Sequence, residues 1–178
     1  MNNDIKEILI TEDEIINRCK ELGKEITKDY QGKTPILIGL LKGSVPFLAE
    51  LMKRIEINME IDFMDVSSYS GTESTGDVRI DKDLSNSIVG DDVIVVEDIV
   101  DTGKTLQKVV GLLYSKGANS VRIVSLLDKP ERRIVDLKAD YIGFTIPDAF
   151  VVGFGLDFNQ KYRNLPYVGI LKEDCYKE

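Results

Sequence analysis

The chain contains no histidine and no tryptophan among its 178 residues. The absence of histidine excludes Ser-His-Asp and Cys-His catalysis, and it excludes zinc sites with histidine ligands. Acid–base chemistry must therefore come from carboxylates, lysine or tyrosine. Cysteine is scarce too: Cys19 falls on the apolar stripe of a predicted helix, and Cys175 lies far away in the sequence. This pattern indicates neither a disulfide framework nor a metal site.

Long hydrophobic runs and clusters of basic residues are also absent. No stretch of about 18 apolar residues occurs, and residues 1–4 do not begin a basic region followed by an apolar run. We therefore expect a cytoplasmic protein with no membrane partner. Acidic residues outnumber basic ones, 31 to 23, for a net charge of −8. No nucleic-acid partner is expected, and an anionic substrate would need a cation such as Mg²⁺.

Composition and apolar patterning predict one α/β domain over residues 1–178. The hydrophobic content of 43% is enough for a single core. Alternating strands and helices indicate a doubly wound, mainly parallel twisted sheet with helices on both faces. Ligands bind such sheets at the carboxyl ends of the strands, where Lys42, residues 97–105 and Lys129 fall. The predicted helices cover 12–30, a segment from Pro46 and 104–116; the predicted strands cover 36–41, 57–66, 88–96, 121–127, 141–145, 151–153 and 167–171.

The most informative segment follows a predicted apolar strand and reads Glu-Asp-Ile-Val-Asp-Thr-Gly-Lys-Thr. Gly103 allows a phosphate to approach the backbone, and Thr102 and Thr105 add hydroxyl donors at the start of a helix. Glu97 and Asp98 have the wrong charge for a phosphate, but they suit sugar hydroxyls and the Mg²⁺ that accompanies a polyphosphate. This one turn could therefore hold a phosphorylated sugar.

Two other interpretations of the segment remain open at this point. Gly103-Lys104-Thr105 matches the end of a P-loop, although Asp98 stands where the first glycine of that motif belongs. Alternatively, Asp101 or Thr102 caps the following helix, and the two acids before them are solvated loop residues. Capping accounts for one of these side chains but does not require an acid pair.

The same segment resembles the phosphoribosyl-pyrophosphate motif of the purine phosphoribosyltransferases. From about residue 8 to about residue 172, the chain is similar to the 6-oxopurine branch of that type I family, the hypoxanthine-guanine phosphoribosyltransferases. Several separate motifs occur in the right order, whereas any one of them except the first would be a weak signal. The further matches lie at residues 41–44, 68–69, 126–129, 146–153, 156–158 and 162–166.

The resemblance implies Mg²⁺-dependent transfer of the 5-phosphoribosyl group from phosphoribosyl pyrophosphate to N9 of hypoxanthine or guanine. The products would be IMP or GMP and pyrophosphate, as in purine salvage. It also implies a small hood built from the terminal segments and self-association into a dimer or tetramer. A regulatory protein of the same fold remains an alternative, although no basic surface is evident. Xanthine also remains open as the base. Adenine has no 6-oxygen, so it would not need the hydrogen-bond donor to that oxygen that is expected at Lys129.

For the phosphoribosyl donor, the resemblance assigns roles to three parts of the sequence. Glu97 and Asp98 would contact the ribose hydroxyls directly or through Mg²⁺. Lys42 and Gly43 would bind pyrophosphate after a strained peptide, with Arg163 as a clamp on the far side. By itself Lys-Gly is an ordinary turn, and a lone arginine is usually solvated. The 5′-phosphate would be held by Asp101, Thr102, Gly103, Lys104 and Thr105.

For the purine, the resemblance assigns the proton acceptor to Asp101 and the donor to the 6-oxygen to Lys129. Phe150 would stack on the ring, and the backbone of Val151 would meet its edge. Asp157 would lie beside the purine and hold a second Mg²⁺ from the pyrophosphate side. In isolation Phe150 could be a core residue and Asp157 a surface acid. A polar loop at 67–76 would form a mobile lid with Ser68 and Tyr69, unless it is a loop without function.

Overall fold

A computed structural model describes residues 1–68 and 78–177, which form three helices, nine strands and three short 3₁₀ turns. The helices are α1 (Glu12–Asp29), α2 (Val45–Met52) and α3 (Lys104–Ser115). The strands are β1 (Ile5–Ile10), β2 (Ile36–Leu40), β3 (Glu60–Ser68), β4 (Val78–Lys82), β5 (Asp92–Val100), β6 (Ser120–Asp128), β7 (Tyr141–Thr145), β8 (Val151–Val152) and β9 (Val168–Leu171).

Six strands form the main sheet in the order β4-β3-β2-β5-β6-β7. All neighbouring pairs are parallel except β3 and β4, which are antiparallel. The central strand β2 is buried along its whole length, as expected for a strand covered on both faces. The predicted doubly wound, mainly parallel sheet is confirmed.

Helices cover both faces of this sheet. One face packs against the apolar stripes of α1 and α2 through side chains such as Leu37, Ile94 and Leu126. The other face packs against α3 through side chains such as Ile38 and Val95. Because neighbouring residues of a strand point to opposite faces, the continuous apolar runs of β2 and β5 serve both layers.

Local signals in the sequence fix the helix ends. Thr11 and Glu14 form the predicted capping box at the start of α1, because the threonine side chain accepts from Glu14 N and the glutamate accepts from Thr11 N. Pro46 lies in the first turn of α2. Gly117, with φ of +94°, follows the last turn of α3 and allows the left-handed conformation that ends it.

A second, three-stranded sheet has the order β1-β9-β8 and is antiparallel throughout. It joins a strand near residue 5 to strands beyond residue 150, so it forms the predicted hood. Leu171 N donates to Phe150 O at 2.9 Å, which ties the hood to the segment before β8.

Two predicted strands have the wrong bounds, and two strands, β1 and β4, were missed. β3 begins at Glu60, not at 57, although Ile57 and Met59 pack on the core from the preceding loop. β5 covers 92–100 rather than 88–96, since 88–91 form a turn and β6 pairs with the strand as far as Val100. β4 was missed because four of its five residues are exposed and show no apolar run. Of the predicted loop at 67–76, Ser67 and Ser68 belong to β3, and the remainder lies outside the described residues.

None of the helices in the ranges 1–68 and 78–177 is both long and apolar enough to cross a membrane.

The two helical glycines, Gly23 and Gly111, should respond in opposite ways to alanine. A Cβ at Gly23 would lie 2.4 Å from Arg54 O, whereas a Cβ at Gly111 would have nothing within 4 Å. Gly111→Ala should raise the free energy of unfolding by about 1 kcal/mol through helix propensity. Gly23→Ala should lower it by about 1 to 3 kcal/mol, because the backbones must separate. Urea titrations would measure both, and a stabilised Gly23→Ala protein would contradict the packing.

Candidate active site

The connections after β2, β5 and β6 meet at one edge of the sheet. These strands are direct neighbours and all run in the same direction, so their carboxyl ends lie side by side. The connection after β2 carries Lys42, the one after β5 carries Asp101, and Lys129 follows β6 immediately. The expected convergence of the three motifs is therefore present in the fold.

The turn between β5 and α3 has the geometry expected of an anion-binding loop. Gly103 has a φ of +82° and is the N-cap of α3, with no side-chain capping bond. The alternative in which Asp101 caps this helix is therefore wrong, while Lys104 N makes only a long contact of 3.5 Å with Thr102 Oγ1. Asp98 lies inside β5 rather than in a loop that could wrap a phosphate, which removes the P-loop alternative.

Glu97 and Asp98 form a half-buried acid pair near the carboxyl end of β5. Burial and the neighbouring Asp98 charge raise the pKa of Glu97, and burial also raises the pKa of Asp98. A Cβ at Gly43 would lie 1.7 Å from Asp98 Oδ2, so any larger residue at this position would displace the carboxylate from the turn after β2. The charge of Asp98 therefore opposes ionisation of the adjacent Glu97, and Asp98 lies against the Lys42-Gly43 turn.

The acid pair fits a cation that arrives with its own oxygen ligands. In the described part of the chain, no three acidic, cysteine or histidine side chains are close enough to form a metal cage. Mg²⁺ commonly takes one or two carboxylates and completes its shell with substrate phosphates and water. Glu97 and Asp98 can supply that share.

Arg163 and Asp157 lie next to the Lys42-Gly43 turn through Gly155. The peptide between Leu41 and Lys42 is cis, and a Cβ at Gly155 would lie 2.0 Å from Gly43 O. Arg163 donates through Nη1 to Gly155 O at 2.7 Å, and its Nη2 lies 3.0 Å from Asp157 Oδ1. This arginine is therefore an ordered, partly buried group at the turn rather than a solvated charge.

A cavity of about 380 Å³ lies between the Asp101 turn and the hood, which is a suitable size for a small ligand. Its wall combines the predicted Asp101, Lys129, Phe150, Val151 and Asp157 with Ile99, Arg132, Asp148, Ala149 and Leu156. A larger depression of about 650 Å³ lies near residues 32–34 and 56–58, before β2 and β3 begin, and none of the motifs lines it.

Lys129 and Phe150 occupy opposite kinds of surface in this cavity. The Lys129 side chain is only 10% exposed, and its Nζ donates to Ala149 O at 2.6 Å. Phe150 is 38% exposed, so it is not a core residue, and it stacks on Tyr176 at 4.6 Å with 18° between the ring planes. One polar and one aromatic wall are the features that a planar heterocycle with a carbonyl group requires.

Sequence reasoning missed four side chains of this region. Arg132 Nε lies 2.9 Å from Asp101 Oδ1, and Arg133 Nε donates to Asp101 O at 3.0 Å. Asp148 lies near Lys129, and Tyr176 supports Phe150. The two arginines carry a usable signal, because they follow the end of β6 within four residues of Lys129. Tyr176 carries none, since its stacking depends on tertiary structure.

The predicted lid falls mostly outside the described residues. Ser68 is the last residue of β3, and Tyr69 lies beyond the described range.

Comparison with known proteins agrees with this site. Residues 6–159 match the family described as "Phosphoribosyl transferase domain". The chain is 57% identical over 177 residues to a hypoxanthine-guanine phosphoribosyltransferase of Staphylococcus aureus, and the matched region covers 99% of each chain.

Solved structures agree as well. A Staphylococcus aureus hypoxanthine phosphoribosyltransferase superposes with a TM-score of 0.96 at 56% identity, over 100% of this chain and 97% of the other. A Bacillus anthracis hypoxanthine-guanine phosphoribosyltransferase superposes with a TM-score of 0.90 at 44% identity, over 94% of this chain and 99% of the other. The chain therefore belongs to the phosphoribosyl transferase family and is a phosphoribosyltransferase enzyme.

Proposed function

We propose that the enzyme acts in purine salvage and transfers the 5-phosphoribosyl group from phosphoribosyl pyrophosphate to N9 of hypoxanthine or guanine. IMP or GMP and pyrophosphate would be the products. The observation that carries this proposal is the single cavity in which Asp101, Lys129 and Phe150 meet, beside the acid pair Glu97 and Asp98. The names of the Staphylococcus aureus relatives support the same chemistry.

In the proposed complex, the donor spans the edge of the sheet. The 5′-phosphate would lie in the turn formed by residues 101–105, where Gly103 leaves the backbone accessible and α3 directs its first N–H groups outward. Glu97 and Asp98 would hold the ribose hydroxyls, directly or through Mg²⁺. When bound, Mg²⁺ would neutralise the pyrophosphate oxygens. The acids would also stabilise the positive charge that develops on the ribose as pyrophosphate leaves.

The leaving pyrophosphate would be bound on the other side of the acid pair. Lys42 and Gly43 would offer backbone N–H groups, and Arg163 would add a planar cation with several donors. Asp157, which lies 3.0 Å from an Arg163 nitrogen, would orient that arginine and approach a second Mg²⁺ on the pyrophosphate side.

The purine would lie against Phe150, with its edge on the backbone of Val151 and near Asp157. Asp101 would accept the proton that the base loses, because a deprotonated purine is the better nucleophile. Lys129 would donate to the 6-oxygen. Its ammonium group has three donors and Ala149 O takes only one, so a ligand carbonyl can be added without breaking that bond.

Four further expectations belong to the proposal, the first two from the sequence composition and the last two from the family. Residues 1–178 form a single domain, the enzyme is cytoplasmic, and it assembles into a dimer or tetramer. The loop at 67–76, with Ser68 and Tyr69, is the expected lid that would exclude water from the donor, and most of it lies outside the described residues. Xanthine remains a competing acceptor, because it differs from the proposed bases only at the 2-position. A regulator that binds the donor without transferring it is the second alternative.

The acceptor and the metal requirement can be tested in one assay. Pyrophosphate release should occur with hypoxanthine or guanine and be negligible with adenine. It should stop after chelation of Mg²⁺ and return when Mg²⁺ is restored, because the acid pair otherwise repels the anionic donor. Full activity after thorough chelation would contradict the metal role. If the protein bound the donor but released pyrophosphate with none of the bases, the regulator would be favoured. If pyrophosphate were released with xanthine alone, xanthine would replace hypoxanthine and guanine as the proposed acceptor.

Asp101→Ala should lower the single-turnover rate by roughly 10² to 10⁴, the usual contribution of a positioned general base. Single-turnover measurement is required because product release limits many enzymes. Donor affinity, measured by calorimetry, should change little. Asp136→Ala removes an exposed acid from the connection between β6 and β7 and serves as the control. A rate near that of the control would remove Asp101 from proton transfer.

Lys129→Ala should narrow the preference for oxopurines over adenine. A hydrogen bond from a charged donor is worth about 1.5 to 3 kcal/mol, and about 1.4 kcal/mol corresponds to tenfold. We therefore expect kcat/KM for hypoxanthine to fall at least about tenfold, while adenine use does not worsen because its amino group no longer meets an ammonium. Lys104→Ala is the matched control, since it removes a cation from the phosphate turn. If Lys129→Ala behaved like this control and weakened only the donor, Lys129 would belong to the phosphate site.

A further inference from the structure

Arg132 contacts the side chain of Asp101 directly. It ends a short 3₁₀ turn, Pro130–Arg132, that follows β6 and Lys129. From there its Nε reaches Asp101 Oδ1 at 2.9 Å. The carboxylate keeps a second oxygen that can face the cavity and accept a proton. Arg132 therefore contacts Asp101 and still leaves one carboxylate oxygen of Asp101 available as an acceptor.

The other end of the Arg132 guanidinium faces Asp148. Nη1 lies 3.8 Å from Asp148 Oδ2, and Asp148 Oδ1 lies 3.7 Å from Lys129 Nζ. Charges of alternating sign thus run from Asp101 through Arg132 and Asp148 to Lys129, and all four side chains line the same cavity. A planar guanidinium can donate in two directions at once, whereas a lysine ammonium is a single point of charge.

Arg133, the residue after Arg132, independently fixes the backbone of Asp101. Arg133 Nε donates to Asp101 O at 3.0 Å, and its guanidinium pairs with the buried Asp128. With the backbone held in this way, the main remaining freedom of Asp101 is rotation of its side chain. Arg132 is the group that restricts this rotation.

The exposure of the pair argues against a role in stability. Arg132 and Asp101 are 47% and 42% exposed, and ion pairs in such positions stabilise a fold very little. An interaction that adds little to folding but restrains a group in a ligand cavity acts on orientation. Orientation matters strongly in catalysis, because small misplacements of reacting groups slow the chemical step.

We propose that Arg132 is a positioning residue that orients the Asp101 carboxylate toward the purine, with Asp148 holding the outer end of the guanidinium. The inference rests on the proposed role of Asp101 as the proton acceptor. It adds a specific dependence: the contribution of Arg132 to the chemical step exists only while Asp101 is present.

A double-mutant cycle tests this dependence. We expect Arg132→Ala to lower the single-turnover rate with hypoxanthine on the order of tenfold, since misplaced groups can lose up to about a hundredfold. Donor affinity and melting temperature should stay unchanged, and Arg132→Lys should recover only part of the rate. In an Asp101→Asn background, Arg132→Ala should have no further effect. Lys53→Ala, which removes an exposed lysine that pairs with Glu50 at the end of α2, is the control.

The possible results separate this inference from the function it rests on. An Arg132→Ala rate within twofold of the control overturns the inference, and so does a loss that remains in the Asp101→Asn background. In both cases a slow Asp101→Asn enzyme would leave the function of Asp101 intact. A loss of donor affinity alone would make Arg132 a phosphate ligand instead. If Asp101→Asn had no effect, the proton acceptor and its positioning residue would both be wrong.

Discussion

The site depends on the parallel pairing of β5 with β6. The register places Val100 opposite Asp128, and Lys129 N continues the ladder by donating to Val100 O at 3.0 Å. Asp101 and Lys129 consequently leave the sheet at the same level and enter the same cavity. A shift of one residue would turn every side chain of one strand to the other face, so the packing of both layers protects this alignment.

Arg133 binds the backbone carbonyls of β5 and the following loop at the point where the hydrogen bonds between β5 and β6 end. Its guanidinium pairs with Asp128 and donates to the carbonyls of Val100, Asp101 and Leu137. The side chains of Arg133 and Asp128 are both nearly buried, and removal of either one would leave an uncompensated charge. The fold can accept this buried ion pair because nearly every donor of the arginine has an acceptor. These hydrogen bonds hold the loop after β5, where no further strand in the described part of the chain pairs with it.

Sequence patterns predicted the parts of the molecule that are governed by local physics. The capping box, the buried run of β2 and the glycine turn before α3 all have short-range causes, and the structure has each of them. β4 was not predictable in the same way, because it is held at the sheet edge by pairing with β3 and not by an apolar pattern. The stacking of Tyr176 could not be predicted from the sequence either, because it depends on tertiary structure. The position of Arg132 close after β6 and Lys129 was a usable signal, but its partner Asp101 could not be identified from the sequence alone.

The hood determines the order in which the cavity can be completed during synthesis. β1 is made first, yet its partner β9 belongs to residues 168–171, and β9 also pairs with β8 at Val151. Phe150 is held by the hydrogen bond from Leu171, and its ring is covered by Tyr176. The main sheet can form while the chain is still attached to the ribosome, because its strands are sequential neighbours in large part. The aromatic wall closes only when the last strand has emerged, so a nascent chain would have its phosphate turn before its base-binding surface.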